Sequence, residues 1–318
     1  MELKYYGPVL ILTLNRYAHF KRCIESLQKC THSRNTDLYI GLDYPLNDSH
    51  WDGYRKTNEY VKSLSGFKSV TTIRRIENYG VQRNFYDMQN YIFEKYDRII
   101  FSEDDNEFSP NFLDFINKGL VKYDNDGRVS AICGYSFPIG IPKAYLHDYY
   151  YHQRFSGWGY GTWKKKVPDD TEWNIYQLKE FLSNKQYATE LKTKFQRHYY
   201  RVLDAIENKD KIYGDGLAIL LNIKNNTYSV YPTISKVKNH GHDGSGINCG
   251  FIDDDIYSAQ EIDTNVEFDY SSDAPLVDTA IDNIYSLALK LTLLARIKKS
   301  IKHTIIGKIF TYLKERIN

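Results

Sequence analysis

The run VLILTL at residues 9–14 is short and almost continuously apolar, the pattern of a strand buried on both faces. It ends at Asn15-Arg16, and over residues 18–28 the apolar positions Phe20, Cys23, Ile24 and Leu27 return at helical spacing. A second strand is predicted at 38–42 (LYIGL), closed by Asp43-Tyr44-Pro45, then a helix at 54–64 and a third strand at 70–76 (VTTIRRI). Residues 84–95 read as another helix and 98–101 (RIIF) as a fourth strand. Strand and helix alternating in this way imply βαβ crossovers, hence an α/β fold with a mainly parallel sheet flanked by helices. Ligands of such sheets bind beyond the carboxyl ends of the strands. The polar residues there are Asn15-Arg16, Asp43, the stretch 78–83 and Glu103-Asp104-Asp105.

Beyond residue 105 the alternation loosens. A helix is predicted at 111–123, a strand at 129–133, a loop-rich stretch around 155–161, a long helical region at 178–208, a helix at 216–224 and a strand at 228–232. Residues 253–282 carry ten acidic side chains and no Lys or Arg, which reads as an extended surface segment. From Leu287, the positions Leu291, Leu294, Ile301, Ile305, Ile309 and Tyr312 recur at three- and four-residue steps. Seven Lys or Arg lie between Arg296 and Arg316, against the single acid Glu315. A basic amphipathic helix of this kind suits an anionic membrane surface, a twin subunit in a homo-oligomer, or its own domain.

At 318 residues the chain can form one large domain plus an appendage. The expected division is a domain at 1–250, with halves at about 1–110 and 111–250, an acidic segment at 251–283 and the basic helix at 284–318. Lys and Arg number 42 against 40 Asp and Glu, a net charge of +2, so no nucleic-acid partner is expected. The cysteines Cys23, Cys30, Cys133 and Cys249 show neither zinc nor disulfide-framework spacing and suit a reducing compartment. No signal-peptide pattern opens the chain, and no stretch is apolar enough to span a membrane. The expectation is a cytoplasmic protein, peripheral on a membrane if the basic helix docks there.

Candidate chemistry centres on Glu103-Asp104-Asp105, three acids where a buried strand ends. Clustered carboxylates repel unless a cation or a proton relieves them, and a hard divalent ion bridging to phosphate oxygens does so naturally. With that triplet in place, the ordered series VLILTLNR, IGLDYP, ENYGVQRNF and FSEDDNEFSPNF resembles glycosyltransferases of the GT-A fold. The likeness is to N-acetylglucosaminyltransferase I and its relatives, whose acidic motif is also Glu-Asp-Asp. Asn78-x-Gly80-x-x-Arg83 is similar to the large bacterial family-2 inverting transferases. The resemblance runs from about residue 8 to residue 242, and it rests on the order of the motifs rather than on any one of them.

The resemblance implies Mn²⁺ or Mg²⁺ and a UDP-sugar donor. Arg16, with Thr13 and Asn15 beside it, would meet the nucleotide phosphates, and Asp43 the uracil or ribose. Asn78, Gly80 and Arg83 would cradle base and diphosphate. Asp104 would face the donor sugar and ribose, and Asp105 the metal, with Glu103 as a further ligand. Phe155-Ser156-Gly157-Trp158-Gly159-Tyr160-Gly161 looks like the family's glycine-aromatic loop, with Trp158 and Gly159 beside the sugar. A late-loop histidine near the diphosphate or metal would be His242, or else His240.

Inverting transfer needs a carboxylate base to deprotonate the acceptor hydroxyl. Asp215 in Tyr213-Gly214-Asp215-Gly216 is the candidate, where the family's motif carries an Asp pair. A helix N-cap is the structural alternative for it, and Asp169 and Asp170 are the runners-up. The expected reaction moves a hexose or N-acetylhexosamine to a glycan or lipid-linked acceptor. Two other functions use similar parts: a sugar nucleotidyltransferase, whose usual glycine-bearing loop after the first strand is missing here, and a non-catalytic membrane-associated binding module.

Overall fold

The computed structural model describes residues 6–246, 250–270 and 273–289. In chain order the elements are β1 Val9–Thr13, α1 Tyr17–Gln28, β2 Asp37–Leu42, α2 Trp51–Tyr60, β3 Ser69–Arg74, α3 Gly80–Phe93, β4 Arg98–Glu103, β5 Asn106–Phe108, α4 Phe112–Lys122 and β6 Val129–Cys133. There follow β7 Tyr149–His152, β8 Tyr160–Trp163, β9 Glu172–Trp173, α5 Ile175–Ser183, α6 Lys185–Lys194, α7 Gln196–Asn208, β10 Ile212–Tyr213, α8 Gly214–Asn225, β11 Tyr228–Pro232, β12 Val237–Asn239 and α9 Thr279–Ala288.

The chain divides into two compact units. One comprises residues 1–138, 143–168 and 227–277, the other 139–142, 169–226 and 278–318. The first holds an eight-stranded sheet in the order β3-β2-β1-β4-β8-β6-β11-β7. Strands β3, β2, β1 and β4 run parallel, as do β6 and β11, while β8 and β7 are antiparallel to their neighbours. The mixed α/β architecture with a mainly parallel central sheet is therefore the one the alternation of strands and helices implies.

Core formation follows the apolar runs. Val9, Leu10 and Ile11 of β1, Leu38, Ile40 and Leu42 of β2, and Ile99 and Ile100 of β4 are fully buried. Phe20, Cys23, Ile24 and Leu27 form the buried stripe of α1, and Phe112, Leu113, Phe115, Ile116 and Leu120 that of α4.

Two strands, β7 and β8, flank the stretch around 155–161 whose sequence reads as loop, β8 beginning inside it. Tyr160–Trp163 is completely buried and bridges β4 to β6, in a setting where Gly161 lets α4 press close: a Cβ there would stand 2.6 Å from Ile116 Cγ2. The predicted helical region at 178–208 is three helices. Asn184 leaves the helical conformation (ψ 112°) and caps α6 through its side chain, and Phe195 breaks the chain again before α7.

The described residues of the acidic segment that precede α9 form neither helix nor strand, and they are docked rather than merely exposed. Phe268 packs edge-on against Phe115, and Tyr270 stacks on it at 5.4 Å. Lys118 and Lys122 of α4 bond the Phe268 carbonyl (2.8 Å) and Asp273 (3.0 Å). Lys236 and Asp263 form an ion pair with both side chains buried.

The second unit contains α5 to α9 and the short β9–β10 ribbon. Helix α9 covers the start of the expected basic C-terminal helix; the rest of that helix, from residue 290, lies outside the described residues. No described helix is long and apolar enough to cross a membrane.

Candidate active site

Because β1 runs parallel to both β2 and β4, their carboxyl ends share one edge of the sheet, and the loops that follow them meet there. Leu12 lies opposite Glu103, which brings Thr13, one residue on, to the start of the acidic pair. The Thr13 hydroxyl donates to Asp104 Oδ2 at 2.8 Å. Arg16, just before α1, turns its guanidinium across both carboxylates: Nη1 donates to Asp105 Oδ2 at 2.8 Å and Nη2 to Asp104 Oδ1. Asn239 at the end of β12 donates to Asp105 Oδ1 at 2.9 Å, and the His240 amide donates to the Asp105 carbonyl at 2.9 Å.

Asp104 and Asp105 are only 3% and 6% exposed. Burial pushes the Asp104 carboxyl above its ordinary value, Arg16 pulls it back, and the Asp105 charge raises it further. Burial alone would lower the Arg16 guanidinium, but the two carboxylates, Asp104 foremost, hold it above its usual value.

The Asp43 carboxylate is engaged by the main chain. Its Oδ1 accepts from the amides of Tyr44 (2.9 Å) and Tyr79 (2.8 Å), and its Oδ2 from the Gly80 amide (2.9 Å). It thereby caps α3 from outside that helix. Gly80 begins α3 at φ +69°, a left-handed conformation that glycine adopts without strain. Asn78 donates to the Tyr44 carbonyl at 2.6 Å, tying the loops after β2 and β3 together. Arg83 stays exposed, paired with Glu77 at 3.0 Å and lying 3.5 Å over the Tyr79 ring.

The late loop reaches the same edge. Gly241 passes so close to the acidic pair that a Cβ would fall 2.3 Å from Asp105 Oδ2. His240 pairs with Glu107 at 2.8 Å, and Asp243 with His19 of α1 at 2.8 Å. The His242 ring stacks on Tyr257 at 4.4 Å, with Nδ1 3.8 Å from Asp255. Trp158 stands edge-on to Tyr135, His242 and Tyr257. The absence of a side chain at Gly159 is a packing requirement, since a Cβ would meet Val237 at 2.9 Å.

Among the described residues, no three His, Cys, Asp or Glu side chains gather as a metal cage, so Glu103, Asp105 and His242 do not converge as one ligand set. A hard divalent ion held by one or two carboxylates and completed by phosphate oxygens needs no such cage. The buried oxygens of Asp104 and Asp105, offset by a single guanidinium, fit that arrangement.

Asp215 belongs to the other unit. It is exposed in the first turn of α8, whose N-cap is Tyr213, so it does not serve as the capping residue. Sequence reading alone passes over Asn239, Gly241 and Gly53. A Cβ on Gly53 of α2 would lie 1.9 Å from the Asn15 carbonyl oxygen, so glycine there lets α2 support the loop that carries Arg16. Only the Asn-x-Gly pattern beside the two histidines could have pointed to the first two.

No protein-family model and no curated protein matches the chain. Among solved structures it is similar to the mannosyltransferase PcManGT from Pyrobaculum calidifontis, described in complex with GDP-Man and Mn2+. The identity is 11%, over 71% of this chain and 72% of that one, with a TM-score of 0.37. It is also similar to the apo structure of WbbM, a bifunctional glycosyltransferase, at 13% identity and a TM-score of 0.35, over 70% of this chain. This chain spans only 38% of the WbbM chain.

Proposed function

We propose that the protein is an inverting glycosyltransferase of the GT-A fold that transfers a hexose or N-acetylhexosamine from a UDP-sugar to a glycan or lipid-linked hydroxyl. The observation that supports this most directly is the buried Asp104–Asp105 pair, held by Arg16 and Thr13 at the carboxyl edge of β1 and β4. A buried acidic pair with an arginine between its members suits a ligand that brings both negative phosphates and a counter-cation.

In this reading Asp105, with Asp104 beside it, holds Mn²⁺ or Mg²⁺. Bound there, the ion would neutralise charge developing on the diphosphate leaving group. Arg16 supplies further positive charge to the phosphates through its planar fork. Thr13 and Asn239 keep the two carboxylates oriented. Arg83, exposed beside Tyr79, would meet the nucleotide in this reading, whereas Asp43 and Asn78 would act by fixing the loops around it. Asp215 is the base that takes the proton from the acceptor hydroxyl.

Calorimetric titration with UDP, and with GDP and CMP as controls, in Mn²⁺ and again in EDTA, tests the donor site. Metal-dependent UDP binding that disappears in Asp105→Ala is the expected result; absence of binding to every nucleotide in metal would sink the proposal. Asp215→Asn should keep nucleotide binding and lose transfer by roughly 10²–10⁴-fold, the usual contribution of a general base. Unchanged turnover in that variant would remove Asp215 from the mechanism.

A further inference from the structure

Arg16 and a divalent cation compete for the same oxygen atoms. The guanidinium touches both Asp104 and Asp105, and the remaining oxygen of each carboxylate already accepts a hydrogen bond, from Thr13 and Asn239 respectively. Gly241 closes in on Asp105 Oδ2 from the late loop. A cation approaching Asp105 would therefore meet a second positive charge at hydrogen-bond distance in a buried setting, where like charges repel strongly.

Arg16 is the member of the set that can leave. Its side chain is 21% exposed against 4% and 7% for the two aspartates, and it sits on a flexible stem at the mouth of the site. A guanidinium fork matches phosphate oxygens as well as it matches carboxylates.

The geometry points to Arg16 as an exchangeable counter-cation: it neutralises Asp104 and Asp105 in the free protein, and it moves to the diphosphate when nucleotide arrives, freeing the aspartates for the metal. This rests on the nucleotide-sugar reading above and deepens it. Cation and nucleoside diphosphate then bind as a pair rather than independently. Two phosphates are needed because one set of oxygens must engage Arg16 while another completes the metal's coordination. A nucleoside monophosphate would serve one of these poorly.

The experiment is titration of Mn²⁺ into the full chain without nucleotide, followed by electron paramagnetic resonance of free Mn²⁺, for wild type, Arg16→Gln and Arg16→Lys. Wild type should bind Mn²⁺ weakly on its own and at least about tenfold more tightly with UDP, within the usual range of coupling between sites. Arg16→Gln should bind Mn²⁺ alone about tenfold more tightly than wild type and gain less from UDP. Mn²⁺ should also raise the melting temperature of Arg16→Gln more than that of wild type, because the ion replaces the missing charge. Arg16→Lys, which keeps a charge but cannot span both aspartates, should fall between the two, and it covers the case in which Arg16→Gln does not fold.

Mn²⁺ affinity in Arg16→Gln equal to or below that of wild type would overturn the exchange. If UDP and GDP bind to no form of the protein, the transferase reading fails instead, and the metal-only comparison still decides the role of Arg16.

Discussion

Gly53 and Asp43 show how far single side chains in this molecule depart from their usual roles. Alanine in place of a helical glycine normally stabilises by about 1 kcal/mol. At Gly53 the added methyl would strike the Asn15 carbonyl, so Gly53→Ala should lower the melting temperature instead and weaken UDP binding by displacing Arg16. A raised melting temperature with normal binding would refute this. Asp43 accepts the amide of its neighbour Tyr44 and two amides, of Tyr79 and Gly80, at the start of α3, where helix N–H groups lack intrahelical partners. Asp43→Ala should therefore cost about 1–3 kcal/mol in urea unfolding, the range for stranding buried donors. Weaker nucleotide binding at unchanged stability would instead return Asp43 to a direct contact. The pair Asp104–Asp105 was legible in the sequence because a buried strand delivers it. The capping role of Asp43 was not, because the α3 amides it accepts, of Tyr79 and Gly80, lie more than thirty positions away.

Strands β1 to β4 and β6 declare themselves by Val, Ile and Leu runs, whereas β7 and β8 do not. Tyr149-Tyr150-Tyr151-His152 and Tyr160-Gly161-Thr162-Trp163 place aromatic, glycine and polar residues where aliphatic ones are expected; the first carries no strand prediction, and the second begins inside the stretch around 155–161 that reads as loop. Their strand character comes from neighbours: β8 fills the gap between β4 and β6, and Gly161 yields space to α4. Gly161→Ala should cost about 1–3 kcal/mol, the typical penalty for overpacking, as a lower chevron midpoint; no shift would mean that α4 can retreat from β8. The helical region at 178–208 misled in the opposite direction. Its periodicity is real, but Asn184 stops one helix and caps the next, and Asn174 with Gln177 forms a capping box that starts α5. Asn174-x-x-Gln177 and Asn184 carry these cap signals in the sequence itself.

The first unit is closed by a segment that composition marks as solvent-loving. Residues 250–277 carry many acids, yet Phe268 is buried against α4 and Asp263 is buried against Lys236. Burial opposes the Asp263 charge, but Lys236 and then Asn111 more than offset that and hold its carboxyl below the ordinary 3.8. A carboxyl depressed on folding stabilises the native state above its unfolded value, and that contribution is lost as pH falls through the folded value. Hydrogen exchange over 250–277 should accordingly speed up as pH drops below about 4, once corrected for intrinsic rates, the ordinary Asp value being the upper edge of the window. Asp263→Asn should cost about 3–5 kcal/mol near neutrality, because it leaves Lys236 buried without its carboxylate. Little change in either measurement would mean that the aromatic contacts alone hold the segment.

The strand order also sets a timetable for biosynthesis. Strands β3, β2, β1 and β4 can assemble from the first third of the chain as it leaves the ribosome. Among the described strands, however, β7 pairs in the sheet with β11 alone, and β11 is translated after the whole 169–226 insertion. Until then the tyrosine-rich β7 has no partner in the sheet, and β6 lacks one on that side. The growing chain thus carries unsatisfied backbone and aromatic surface for as long as the intervening helices take to emerge, and it is in that interval that a chaperone has most to shield.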